Sequence, residues 1–223
     1  MHKPDTGLDV NDVLDLAAYF RCLARLHPRL CPRQVLGVRM GIYACDLLQI
    51  DARSDDCRLL AIVETDGCFA DGVSVATGCW LGKRNLRLVD YGKIAVTAID
   101  VGTARAVRLR PNAAARTRSA IYAQGAPSRW HSQLLGYQRM PIAELVSTES
   151  VRVLTPVAAL IGQAGQRTEC ESCGEEILNL RQVVVDNRSL CGGCAGHPYY
   201  LESGSATSES ILDMSHFTVD EAA

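Results

Sequence analysis

The sequence has no run approaching the ~20 apolar residues of a membrane helix. Its longest uncharged stretch, residues 153–166, is interrupted by Pro156 and several polar residues, which argues against a membrane-spanning helix. The opening residues, Met-His-Lys-Pro-Asp-Thr-Gly, lack the apolar segment of a secretory signal. A cytoplasmic, reducing compartment is therefore the expectation. Nor is there an excess of either charge. With 23 basic against 25 acidic side chains the net charge is −2, which argues against a nucleic-acid binder working through overall charge. Two local absences also stand out: no cysteine between residues 80 and 169, and no acidic residue between Val101 and Ala143.

What is present describes a globular protein. The chain has 223 residues, 48% hydrophobic and 22% charged, enough for a medium domain with its own core plus a small module. The cysteines divide it the same way. Cys22, Cys31, Cys45, Cys57, Cys68 and Cys79 lie in the first 80 residues, while Cys170, Cys173, Cys191 and Cys194 fall within 25. We expect a core over residues 1–160, a zinc module over 161–200 entered through a Gly/Gln linker at 162–166, and an acidic, poorly ordered tail over 201–223.

Periodicity predicts an amphipathic helix over residues 11–26, capped by Asp9 or Asn11. A second helix should start at Pro32, whose missing N–H costs nothing in the first turn. Gly37, Gly41 and Cys45 stand four apart on it, a narrow stripe where another backbone can approach closely. Strands are predicted over 59–63, 86–89, 94–99, 104–109 and 151–154, with Gly102-Thr103 as a tight turn. Helices are predicted over 69–78, 112–124 and 130–138. This mixture argues an α+β fold.

Cys170-x-x-Cys173 and Cys191-x-x-Cys194, 17 residues apart, have the spacing of a four-thiolate zinc site. Such a site is closed and therefore structural, lending folding energy to a module too small to hold itself together. A hairpin turning at Asp186-Asn187 should separate the pairs. Mixed charges around the module favour a protein partner or dimer contact over phosphate binding.

Three core segments carry chemistry. In the first, His27-Pro-Arg-Leu-Cys31-Pro32, Cys31 begins a helix, where the macrodipole favours a thiolate. The second, Glu64-Thr-Asp66-Gly-Cys68-Phe-Ala-Asp71, lies at the end of a buried strand, with Cys68 again at a helix start. The third, Thr77-Gly-Cys79-Trp-Leu-Gly82-Lys83-Arg-Asn85 with Asp90-Tyr-Gly-Lys93, combines glycines, amines and an amide suited to an anion or substrate. From these residues the candidate catalytic groups are Cys68 as ligand or nucleophile, His27 as ligand or general base, and Lys83 as electrostatic stabiliser. Asp66, Asp71 and Asn85 are candidate cofactor-binding groups. A core metal would use His27, Cys31 and Cys68. Cys79 lies ~16 Å from Cys68 along an intervening helix, and joins the site only if that helix bends or a partner subunit supplies it. Cys22, Cys45 and Cys57 read as packing or surface residues. The arginine-rich stretch after Val101 reads first as a solvated face and second as an anion site or a docking surface for an acidic partner. Arg105 and Arg108 would fall on opposite faces of one strand.

These segments resemble the FmdE family, named after one of the components of formylmethanofuran dehydrogenase. The resemblance covers residues 20–155. It rests on Cys31-Pro32, on Asp66-Gly67-Cys68 with Asp71, on Thr77-Gly78-Cys79 with Gly82-Lys83 and Asn85, and on residues 90–93. It implies an α+β core forming intertwined homodimers; some members add a C-terminal treble-clef zinc finger, which the late cysteines resemble. The first motif departs from the family's His-Gly-His-x-Cys-Pro-Gly, with Arg29 in place of the second histidine and Arg33 in place of the glycine. The function implied is an accessory or metal- or substrate-handling protein linked to molybdenum- or tungsten-dependent one-carbon metabolism, with structural zinc and room for a second ion in the core. The alternatives are an independent metal- or thiolate-dependent enzyme and a zinc-finger interaction or regulatory protein.

Overall fold

The computed structural model describes residues 10–52, 58–161 and 165–200, with side chains from residue 16 onward. The predicted Asp9 cap, the Asn11 side chain, Cys57, residues 162–164 of the predicted linker and the predicted 201–223 tail lie outside the described residues. Two compact units divide between Ile161 and Gly162.

The first unit runs α1 (Val10–Leu23), α2 (Pro32–Leu48), β1 (Leu59–Val63), α3 (Cys68–Thr77), β2 (Leu86–Leu88), β3 (Val96–Asp100) and β4 (Ala106–Pro111). It continues through α4 (Ala115–Arg118), a 3₁₀ turn (Ser119–Tyr122), α5 (Arg129–Arg139), α6 (Ile142–Leu145), β5 (Val146–Val151) and α7 (Val157–Ile161). The five strands form one sheet in the order β2-β1-β3-β4-β5. The β1–β2 pair is parallel and the other pairs are antiparallel, so the fold is the expected α+β mixture. No helix among the described residues is long and apolar enough to cross a membrane.

Strand alternation sorts the core. Leu59, Ala61, Val63 and Leu109 face a cluster with Val35, Met40 and Leu48 of α2, Phe69 and Val73 of α3, and Met140 and Leu145. Leu60, Ile99 and Ala106 face the other way, towards Val151, Val157 and Leu160. α2 and α3 cross at glycine on both sides. A Cβ on Gly37 would lie 2.3 Å from the Phe69 carbonyl oxygen, and one on Gly72 would lie 2.4 Å from that of Gln34. The predicted stripe is thus a real contact, at Gly37 and Gly41. The buried Arg39 adds a polar tie, donating to the carbonyls of Tyr137 (2.8 Å), Gln138 (3.0 Å) and Met140 (3.0 Å) at the end of α5.

Two predicted elements differ. Residues 112–124 form a short helix that tightens into a 3₁₀ turn rather than one helix. Gly136 of α5 is packed against the Ser119 backbone, a close approach that needs the chain held in that shape. The last core strand is Val146–Val151, five residues earlier than its predicted start. It is an edge strand with four of its six residues polar or exposed, so it lacks the apolar run that marks a buried one.

The β3–β4 turn is built around Asp100, which is fully buried. Arg58 donates to both carboxylate oxygens (2.9 and 2.7 Å), Thr103 Oγ1 donates at 2.6 Å and the Gly102 N–H at 3.0 Å. The Arg58 pair, then these other donors, hold the carboxyl well below the usual range. A folded value below the unfolded one stabilises the protein above the unfolded pKa of ~3.9, and that contribution is lost as pH falls towards the folded value. Asp100→Asn should therefore cost about 2 kcal/mol at pH 7, discounted because Arg58 is partly exposed. In thermal melts the gap between wild type and variant should close below about pH 4.

The second unit holds β6 (Arg167–Glu169) paired with β7 (Glu176–Leu178), and β8 (Val183–Val185) paired with β9 (Arg188–Leu190). Asp186 (φ 48°) and Asn187 (φ 66°) make the predicted turn, both in the left-handed region that a two-residue hairpin loop requires.

Candidate functional site

The first unit gathers chemistry where α2 and α3 begin side by side. Cys31 takes an extended conformation before Pro32 and ends the loop entering α2. Its N–H donates to Gln34 Oε1 at 2.8 Å, a reciprocal cap from the third helical residue. The chain reaches α3 through Gly67 at φ 71° and ψ −152°, a conformation that is essentially glycine's alone. That turn puts Cys68 first in α3. The glycine crossing described above draws the two helix starts together.

Two pairs of side chains lie there, although no three of their ligand atoms come within 4.8 Å of one another. His27 Nε2 and Asp71 Oδ2 are 2.6 Å apart, each about one-third exposed. The Cys31 and Cys68 sulfurs are close enough to interact electrostatically. Burial pushes the Cys68 thiol above its ordinary value, and the Cys31 sulfur and Asp71 charge push it further. This opposes the thiolate expected from helix position alone. The His27–Asp71 bond has its own chemical consequence. A carboxylate accepts, so Nε2 carries the proton shared between them. Two thiols, an imidazole and a carboxylate suit a soft or borderline metal ion. One further observation fits a bound group: the Gln34 side chain is fully buried, and its Nε2 has no hydrogen-bond partner among the described residues. Because Oε1 is fixed by the Cys31 N–H, turning the amide over cannot satisfy it. Sequence reasoning missed Gln34, although a side-chain acceptor three residues after a helix start is a recognisable cap signal.

Other predicted site residues lie elsewhere. Asp66 is on the turn into α3 but exposed. Lys83 and Asn85 follow the opposite end of α3, a ten-residue helix ~15 Å long. Lys83 is exposed there, and Asn85 Oδ1 accepts from the Trp80 N–H at 2.9 Å, closing its own loop. The cause is topology: α3 carries the chain from the end of β1 back to the start of the parallel β2, so residues 77–85 are delivered to the far end, whereas β2 returns the chain and the Tyr91 and Lys93 N–H groups donate to the Glu64 carbonyl (3.0 and 3.1 Å). Cys79 is at that end too, fully buried, its thiol donating to the Leu59 carbonyl at 3.5 Å. It packs near Cys45, whose thiol burial pushes up to about 12. Neither Cys79 nor Cys45 reaches the pocket. Cys22 is exposed. Glu64 is taken by Arg108, which donates to both its oxygens (2.6 and 2.8 Å); that hydrogen bonding holds the carboxyl below its ordinary value.

The second unit holds the sharper geometry. The ligand atoms of Cys170, Cys173, Cys191 and Cys194 all lie within 4.8 Å of one another, and among the described residues this group alone of the His, Cys, Asp and Glu side chains does so. The first pair sits on the β6–β7 turn, where Gly174 (φ 75°) reverses the chain. The Cys191 N–H donates to Cys170 Sγ (3.2 Å) and the Cys194 N–H to Cys191 Sγ (3.4 Å); backbone donation from Cys173 and then Cys191 draws the Cys170 thiol down to about 6. The set fits a closed four-sulfur metal site.

Comparison with known proteins agrees with this picture. A solved structure of a tungsten formylmethanofuran dehydrogenase FmdE-like protein from Syntrophus aciditrophicus matches 83% of this chain and 94% of its own, at 21% identity and a TM-score of 0.55; the two share a fold. A probable S-adenosyl-L-methionine-binding protein of Archaeoglobus fulgidus is 41% identical over 90 residues, 39% of this chain. The chain spans about a quarter of the length of that curated relative. The family described as "FmdE, Molybdenum formylmethanofuran dehydrogenase operon" matches residues 26–152, which include every member of the α2–α3 pocket, and the chain belongs to the FmdE family.

Proposed function

We propose that this chain is an accessory, metal-handling protein serving a molybdenum or tungsten enzyme of formylmethanofuran dehydrogenase type. In this reading His27, Cys31, Cys68 and Asp71 form the working pocket, and Cys170, Cys173, Cys191 and Cys194 hold a structural zinc ion in a treble-clef module. The observation that supports it is the placing of two thiols and a His–carboxylate pair at the neighbouring starts of α2 and α3. A bound ion would supply Lewis acidity there. The chain's own part would be to present two sulfurs and the His27–Asp71 pair, and to keep a buried amide donor on Gln34. We also propose a homodimer, and a protein partner engaged through the zinc module.

Metal analysis of the purified full chain tests this. Wild type should carry two ions per chain and Cys68→Ser one, with the melting temperature of the first unit shifted by no more than about 2 °C, because the α2–α3 crossing does not depend on that sulfur. One ion in both proteins would refute a working core metal. The Archaeoglobus relative favours a second reading, in which the first unit binds S-adenosylmethionine. Saturable binding of that compound, undiminished in Cys68→Ser, would support it in place of the metal pocket.

A further inference from the structure

Seven arginines lie in the acid-free stretch from Val101 to Ala143, and five have partners. Arg108 binds Glu64 and Arg110 lies 3.5 Å from Glu149. Arg118 binds Glu144 at 2.7 Å. Arg105 donates to the Leu47 carbonyl and Arg139 to that of Tyr122. The guanidiniums of Arg116 and Arg129 have neither a hydrogen bond nor a carboxylate partner among the described residues. Yet both line one cavity of about 380 Å³, together with Thr117, Ser119, Ala120 and Ser132. No acidic side chain lines it.

The cavity wall is firmly held. Arg116 is on α4, Ser119 on the 3₁₀ turn, and Arg129 and Ser132 on the first turn of α5. The Gly136–Ser119 backbone contact locks α5 against that turn. The Ser119 and Thr117 hydroxyls already donate to the Arg116 and Ala114 carbonyls, whereas the Ser132 hydroxyl has no such commitment. Two guanidiniums and a free hydroxyl beside a helix start, with no opposing carboxylate, select an anion. The volume exceeds what a bare phosphate needs and suits a small organic molecule.

We infer that Arg116 and Arg129 bind the phosphoryl group of a small organic phosphate, at a site separate from the α2–α3 pocket. A concave, hydroxyl-lined cavity favours this ligand over the flat face of an acidic protein. Isothermal titration of the full chain with adenosine monophosphate and with inorganic phosphate tests it. At least one should bind saturably, and affinity should fall at least tenfold in each of Arg116→Gln and Arg129→Gln while Arg152→Gln, elsewhere on the first unit, keeps it. Unchanged melting temperatures would show that the variants are folded. Binding of neither probe, or binding that both variants retain, overturns the assignment. A polyglutamate peptide that binds where neither phosphate does would overturn it in favour of a protein-docking surface.

Discussion

Gly72→Ala should destabilise the first unit by about 3 kcal/mol or more, lowering its melting temperature by roughly 6–12 °C. The added methyl would sit 2.4 Å from the Gln34 carbonyl oxygen and 3.0 Å from Gly37 Cα. Both are backbone atoms, so no rotamer change relieves the clash. Gly37→Ala meets the same barrier from the other side, with Phe69 O at 2.3 Å and Val73 N at 2.8 Å. The helices would have to part, losing the packing of Val35, Met40, Phe69 and Val73 behind the crossing. Gly82→Ala, where a Cβ meets nothing within 4 Å, is the control and should lie within about 0.5 kcal/mol of wild type. A Gly37→Ala protein as stable as that control would show the crossing to be looser than described. The effect reaches the pocket as well. Parting α2 from α3 separates Cys31 from Cys68, so Gly72→Ala should also lose the proposed core ion although every proposed ligand is intact.

That crossing shows what the sequence could and could not reveal. The spacing of Gly37 and Gly41 announced a close approach, because residues four apart share a helix face. It could not name the opposing helix, since Gly72 stands alone in its segment. That Cys31 and Cys68 stand at helix starts was legible, because Pro32 and Gly67 mark where those helices begin. Helix rise separated Cys79 from Cys68. Lys83 and Asn85 were misplaced because nearness to a motif in sequence does not survive a parallel crossover: α3 moves the residues directly after it by its own length, before β2 brings the chain back. Gln34 was overlooked as one polar residue among apolar ones in α2. Its role follows only from burial and from the Cys31 N–H that fixes it.

The C-terminal unit should respond to metal removal far more severely than the core. Its buried side chains are Cys170, Ile177 and Leu190, with Cys191 and Ala195 packed against them, and two of those five are sulfurs of the proposed zinc site. Segments below about 40 residues ordinarily need a metal, disulfides or a partner to fold, and none of the described cysteines is in a disulfide. Cys191→Ser removes one ligand and also the sulfur that accepts the Cys194 N–H. Its expected result is complete loss of the C-terminal unit's cooperative transition, with amide resonances of residues 165–200 collapsing to unfolded positions while those of the first unit stay put. A strong zinc chelator added to wild type should reproduce this. The two proposed sites can therefore be told apart by what stripping them does. The first unit has a full apolar core on one face of its sheet and a second cluster on the other, so an ion at His27, Cys31 and Cys68 can leave without unfolding it. Among its described residues the second unit buries little apart from its sulfurs, so its ion and its fold leave together. A C-terminal unit that kept its dispersed resonances in excess chelator would mean that something other than metal holds the four cysteines in place.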